Sequence, residues 1–172
     1  RAVSELSLLN DLAREIGASG NSKKIMQRVI NRSLRAVNAE QGNIALTGQE
    51  GVDPYKTLVR DMDSSAHQPY HLDQALLGWM HLHKKILSLA DPRHDTRFAG
   101  VHWDDSVRSL LCGTLLSKSK LIGILTVINK RDDEAFNADD ERLLAIIAAQ
   151  SAQVIENARL YEEEQKLLKV QE

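Results

Sequence analysis

Residues 121–128 read Leu-Ile-Gly-Ile-Leu-Thr-Val-Ile, and both alternating faces of the stretch are apolar. Leu121, Leu125 and Val127 lie on one face, and Ile122, Ile124 and Ile128 on the other. A strand with two apolar faces has to be covered on both sides, so it belongs at the centre of a sheet. The polar turn Ser117-Lys118-Ser119-Lys120 joins it to a second apolar strand over 109–116, giving a hairpin. Asn129-Lys130 and a short polar loop follow, and then Phe136-Asn137-Ala138-Asp139-Asp140-Glu141 opens a long helix. Asn137 is a good N-cap, Asp140 stands at the third helical position, and three consecutive acids complement the positive end of the helix dipole.

The rest of the chain supplies more helices and a second strand pair. Leu6, Leu9, Ala13 and Ile16 recur at helical spacing until Gly17, Ser19 and Gly20 end that helix. Asn21 or Ser22 caps a second helix with Ile25, Val29, Ile30, Leu34 and Val37 on one stripe. Strands over 42–47 and 57–62, joined by the turn-rich 48–54, are expected to pair antiparallel. A helix over 73–85 carrying Leu76, Leu77, Met80 and Leu82 precedes a short strand at 86–89, after which 91–106 shows no periodicity. In the last helix Leu144, Ile147, Ser151, Val154, Ala158, Tyr161, Gln165 and Leu168 keep a three-four repeat, and Leu143, Ile146 and Leu160 form a weaker stripe. One stripe is expected on the sheet and another on a partner. At 1.5 Å per residue, ~30 residues of helix span ~45 Å, so the charged end at 162–166 is expected to protrude.

With 172 residues, 42% hydrophobic and 27% charged, the chain has the balance of one globular core. Its formal net charge of −2 supplies no field for nucleic acid or an anionic membrane surface, and neither partner is expected. The apolar run at 143–149 falls short of the roughly 18 residues a membrane span needs, and no signal peptide opens the chain. The first residue is Arg1, as expected of a segment from a longer protein. Cys112 is the only cysteine, which excludes an intrachain disulfide and fits a reducing compartment, with the cytoplasm as the default.

The spacing of the histidines gives no metal site. His81 and His83 are two apart on a helix, Pro69 separates His67 from His71, and His94 and His102 lack ligand spacing. Neither a Gly-x-Ser-x-Gly elbow nor a phosphate-cradling glycine loop is present, and Cys112 within an apolar strand reads as packing. The candidates that remain are a clamp between Lys130 and Asp140 and the irregular segment 91–106. In that segment Asp91, Arg97, Phe98 and Trp103 offer charge, hydrogen bonds and an aromatic face. Two arginines there face four aspartates, a poor field for phosphate unless Arg97 or a helix N-terminus is aimed at it. The alternative is that Asp91, Asp95 and Arg97 only pin the loop.

The run Asn129-Lys130, Phe136, three residues, Asp140-Glu141 resembles the closing signature of GAF domains, the sensory modules of signalling proteins. Leu77-Gly78-Trp79, the Asp91-Pro92-Arg93-His94-Asp95-Thr96-Arg97-Phe98 loop and Arg108-Ser109-Leu110-Leu111-Cys112 also resemble that family, and the likeness extends from about Lys23 to Tyr161. It implies an α+β fold with a central antiparallel sheet of five or six strands. Helices from both ends would lie on one face, and a ligand-pocket helix and loops on the other. The implied organisation is a dimerisation helix at 1–20, a GAF domain at 21–161 and a protruding helix end at 162–172.

The resemblance further implies a non-catalytic cytoplasmic sensor, a homodimer with a coiled-coil element, covalently linked to an output domain and binding a small molecule that the residues do not identify. Implied ligand residues are Trp79, Asp91, Arg97, Phe98, Trp103 and Thr114. Asn129, Lys130, Phe136, Asp140 and Glu141 would form the motif clamp, and Leu6, Leu9, Ile16, Ile147, Val154, Tyr161 and Leu168 the dimer helices. The lysine-aspartate pair is associated in the family with cyclic-nucleotide binding, which makes a cyclic nucleotide one candidate. Bilin-binding relatives use a loop cysteine, and relatives that reduce free methionine sulfoxide use several cysteines; this chain departs from both. The rival expectation is a ligand-free dimerisation scaffold whose pocket is filled by Leu76, Met80, Phe98 and Trp103.

Overall fold

The structure, a computed structural model, describes residues 22–47, 56–61 and 74–171. Helix α1 (Ser22–Val37) buries Ile25, Val29, Ile30, Leu34 and Val37, the stripe its spacing predicts, and Met26 beside it. It ends where Asn38 turns to φ 54, a left-handed conformation that asparagine tolerates. Strands β1 (Ala39–Leu46) and β2 (Lys56–Asp61) pair antiparallel. Helix α2 (Gln74–His83), strand β3 (Leu87–Leu89) and two 3₁₀ turns, Pro92–His94 and Thr96–Phe98, lead to β4 (Leu110–Ser117). Strand β5 (Lys120–Lys130) and helix α3 (Ala138–Gln171) complete the described chain. The expected opening helix with Leu6, Leu9 and Ile16, and the loop at 48–54, lie outside the described residues.

The sheet order is β2-β1-β5-β4-β3 and every pairing is antiparallel. The doubly apolar β5 is central, as its two faces require. Val127, Leu125 and Ile122 face α1 and α3, while Ile124 and Ile128 face α2 and the segment beyond β3. Glycines let the layers close. A Cβ on Gly113 would meet Ala148 at 3.4 Å, and one on Gly123 would sit 2.9 Å from the Ala45 carbonyl oxygen. The β4–β5 turn is tighter than the sequence suggests, because Ser117 pairs with Lys120 and only Lys118 and Ser119 turn, at φ 52 and 66.

Several expectations are corrected. Helix α2 is shorter than 73–85, ended by Lys84 at φ 50, and it leaves Leu82 77% exposed instead of on the apolar stripe. Ile147 and Val154, assigned to a dimer contact, are buried within the chain's own core. The repeat that carries them is the one facing the sheet, and the sheet and α1 cover it as far as Ala158. Past that point the same repeat runs clear of the core, leaving Tyr161 and Leu168 about half exposed with Leu160 and Leu167 beside them. The α3 tail also reaches back to the start of α1, where the Ser22 backbone N–H and its Oγ both donate to the Glu162 carboxylate, Oγ at 3.0 Å. No described helix is long and apolar enough to cross a membrane.

Candidate functional site

The two residues that end β5 point to different partners. Asn129, at φ 65, accepts from the Arg108 and Ser109 backbone N–H groups at 2.6 and 3.3 Å. Its Nδ2 donates to the Ser106 carbonyl at 2.7 Å and to Glu40 at 3.1 Å. One side chain thereby fastens the exit of the irregular segment to the sheet. Glu40 receives Arg108 as well, at 2.7 Å. Burial opposes its ionisation, but the hydrogen bonds from Arg108 and Asn129 and the charges of Arg108 and Arg131 outweigh burial and hold the carboxyl below its usual range.

Lys130 fastens the helices. Its Nζ donates to Asp140 Oδ2 and Oδ1 at 2.9 and 3.1 Å and to the Val37 carbonyl at the end of α1 at 2.9 Å. Asp140 also caps α3: its N–H donates to Asn137 Oδ1 at 2.9 Å while its Oδ2 accepts from the Asn137 N–H at 3.0 Å. Phe136 is buried in the helix-side core, and Glu141 makes the first helical hydrogen bond, to the Asn137 carbonyl. Asn129 and Lys130 together therefore tie the irregular segment, α1 and α3 to one strand end.

The opposite face of the sheet carries α2 and residues 91–107. Trp79 stacks on His83 at 3.9 Å and meets Phe98 edge-on at 6.2 Å. The Arg97 guanidinium lies over both rings, 5.6 Å from Trp79 and 5.8 Å from Phe98. It is also forked onto Asp95, with Nε to Oδ1 at 3.0 Å and Nη2 to Oδ2 at 2.7 Å. That hydrogen bonding holds Asp95 below the usual carboxylate range and raises Arg97. Asp91 binds His94 at 2.7 Å on the surface, and Arg93 holds the Val107 and Asp104 carbonyls at 2.8 and 2.6 Å. Trp79, Arg97 and Phe98 thus come together, whereas Asp91 lies with His94, away from them in its bonding. Trp103 is buried in the apolar cluster with Leu76, Met80, Phe98 and Leu110, and Thr114 is half-buried on β4. Among the described residues no group of three or more His, Cys, Asp or Glu is placed to hold a metal.

One buried side chain on this face was not singled out from the sequence. Asn43 on β1 is fully buried, and neither Oδ1 nor Nδ2 has a hydrogen-bond partner. Strand alternation puts it on the Ala45 face, since Ile44 and Leu46 join the helix-side core. Each buried polar group left unpaired costs about 1–3 kcal/mol, so the residue is expensive where it stands. The available signal was asparagine's poor strand propensity inside an apolar run. Its cross-strand neighbour Thr126 is also fully buried and lies 3.3 Å from the Cys112 sulfur.

Comparison with curated proteins finds no match. Among solved structures, the chain is similar to the GAF domain of an Acinetobacter phosphoenolpyruvate-protein phosphotransferase, at 22% identity and TM-score 0.68, covering 91% of this chain and 95% of that one. A Coxiella burnetii GAF domain from a phosphoenolpyruvate-protein phosphotransferase gives 18% identity, TM-score 0.68 and coverage of 95% and 99%. Free methionine-R-sulfoxide reductase from Neisseria meningitidis, in complex with its substrate, gives 13% identity, TM-score 0.62 and coverage of 91% of each chain. At these identities the likeness is one of fold. The family model for the GAF domain matches residues 22–155, most of the chain and every strand described above, and on that match the chain belongs to the GAF domain family.

Proposed function

We propose that this chain is a non-catalytic sensory module of a larger cytoplasmic signalling protein, dimerising through its terminal helices and passing the state of the α2 face to an output domain through α3. The observation that carries this reading is the pair Asn129 and Lys130, which holds the irregular segment with one residue and both helices with the next. A small molecule bound under that segment shifts the helices only by binding their two arrangements with different affinity. The GAF domains of the two phosphotransferases, parts of larger proteins by their descriptions, support the modular part of the reading. Sulfoxide reduction of the Neisseria kind is disfavoured, because Cys112 is the single thiol and burial pushes it up to about 12.

The test is a thermal-shift screen of cyclic AMP, cyclic GMP and small neutral metabolites, followed by hydrogen exchange along α3 with any compound that binds. A binder is expected to raise the melting temperature and to change exchange in α3 beyond Ala158. A binder that leaves α3 exchange unchanged sinks the sensory reading. The scaffold alternative has its own support, because Leu76, Met80, Phe98 and Trp103 are all buried in one cluster on the α2 face of the sheet. A flat screen with a dimer intact would favour it.

A further inference from the structure

We propose that Asn43 is the recognition residue for an uncharged small ligand that presents a hydrogen-bond donor beside an acceptor, such as a carboxamide, an imide or the edge of a nucleobase. The inference deepens the sensory reading and rests on it. A primary carboxamide offers one acceptor and one donor side by side, and in Asn43 both are buried and unpaired. The fold does not need an amide here. Ala45, Ile124 and Ile128 fill the neighbouring positions of the same face, and a β-branched apolar residue at position 43 suits a central strand better.

The surroundings set the charge of the ligand. Among the described residues the only buried charged side chains are Lys130 and Asp140, and they pair with each other on the helix side. On the α2 face Arg97, Arg93 and Arg108 are exposed and engaged, Arg97 with Asp95, Arg93 with two backbone carbonyls and Arg108 with Glu40, while Lys84 and Lys85 stand exposed beyond the end of α2. A phosphate or carboxylate beside Asn43 would lose its hydration without gaining a counter-charge. A neutral donor–acceptor edge would satisfy the amide in the way a complementary base edge does. Thr126, directly across from Asn43, adds a hydroxyl that donates or accepts, with the Cys112 thiol next in the same row.

The test compares wild type with Asn43→Leu, near-isosteric and apolar, and with Asn43→Thr, which keeps strand propensity but loses the amide. The probes are uracil, nicotinamide and guanosine, with cyclic GMP as the charged counterpart, read by calorimetry and melting temperature on the full chain. At least one neutral probe is expected to bind wild type, and to bind both variants at least about tenfold weaker, since each variant loses a paired hydrogen bond. Cyclic GMP is expected to bind more weakly than guanosine, and Asn43→Leu, without probe, to melt above wild type. Equal binding of a neutral probe by Asn43→Leu, tighter binding of cyclic GMP than of guanosine, or no wild-type response to any neutral probe overturns the proposal. So does a lower melting temperature for both variants without probe, which would show the amide already paired within the protein. Failure of the sensory reading looks different: a probe binds through Asn43 and α3 exchange does not change.

Discussion

Lys130 and Asp140 are each nearly enclosed, with 11% and 6% of their side chains exposed, and their attraction is useful only because each also has further hydrogen bonds. Removing one partner leaves the other as an unpaired buried charge. Lys130→Met is therefore expected to cost about 3–5 kcal/mol in urea unfolding. The double variant Lys130→Met with Asp140→Asn keeps the cap acceptor and removes the stranded charge, so it should be the more stable of the two. A double variant no better than Lys130→Met would deny the pairing. Cys112 carries the second prediction at this scale. With the thiol enclosed and pushed up to about 12, a thiol reagent at neutral pH should leave the native protein unmodified and react fully only in denaturant. Glu40 carries the third. Its folded pKa lies below the ordinary 4.5, so its stabilisation is present above that value and is lost as pH falls through the lower folded value. Glu40→Gln should flatten the loss of stability in that acid range, measured by thermal melts against pH.

The elements show what pattern alone makes readable. The doubly apolar β5, the stripe of α1 and the capped start of α3 were legible because burial on a sheet or helix stripe writes a period of two or of three and four into the sequence. The Lys130–Asp140 clamp was legible because a lysine at a strand end and an aspartate at a helix N3 position are joined by a loop too short to separate them. Asn43 was not, since a buried amide leaves no periodic mark, and the segment 91–106 concealed its two 3₁₀ turns because three-residue elements are shorter than any period. The face of α3 was misassigned in part: one repeat serves the core up to Ala158 and solvent after it, and sequence spacing does not show where the sheet stops. Beyond that point Leu160, Tyr161, Leu167 and Leu168 place apolar pairs seven residues apart on an exposed helix, the spacing of a coiled-coil contact. Light scattering at roughly 50 µM should give a dimer, protomer concentration being part of what holds it. Leu160→Glu with Leu167→Glu should give a monomer with little change in the fold, because both side chains are more than half exposed. A wild-type monomer at that concentration removes the dimer.

At the scale of the molecule, the sheet separates two unlike layers: helices α1 and α3 on one side, and a layer closed by Arg93, Asp95 and Arg97 on the other. Asn129 and Lys130 join the layers at one end of β5, and Ser22 with Glu162 joins the two helices again some way along α3. Residues 106–109 and the helix base are thus hydrogen-bonded to the two sides of one peptide link, at a single strand end. Asn129→Ala removes the bonds to Ser106, Arg108, Ser109 and Glu40 but none of those made by Lys130 Nζ. It also places alanine at φ 65, a conformation it adopts only at a cost of roughly 1–2 kcal/mol. Asn129→Gly separates the two effects, since glycine keeps the backbone and loses the side-chain bonds. If the strand end couples the layers, the glycine variant should speed amide exchange at residues 104–109 and also in the first turns of α3, while the middle of α1 stays protected. Faster exchange confined to 104–109 would mean that the asparagine only pins a loop, and the helices would have to sense the other face by another path.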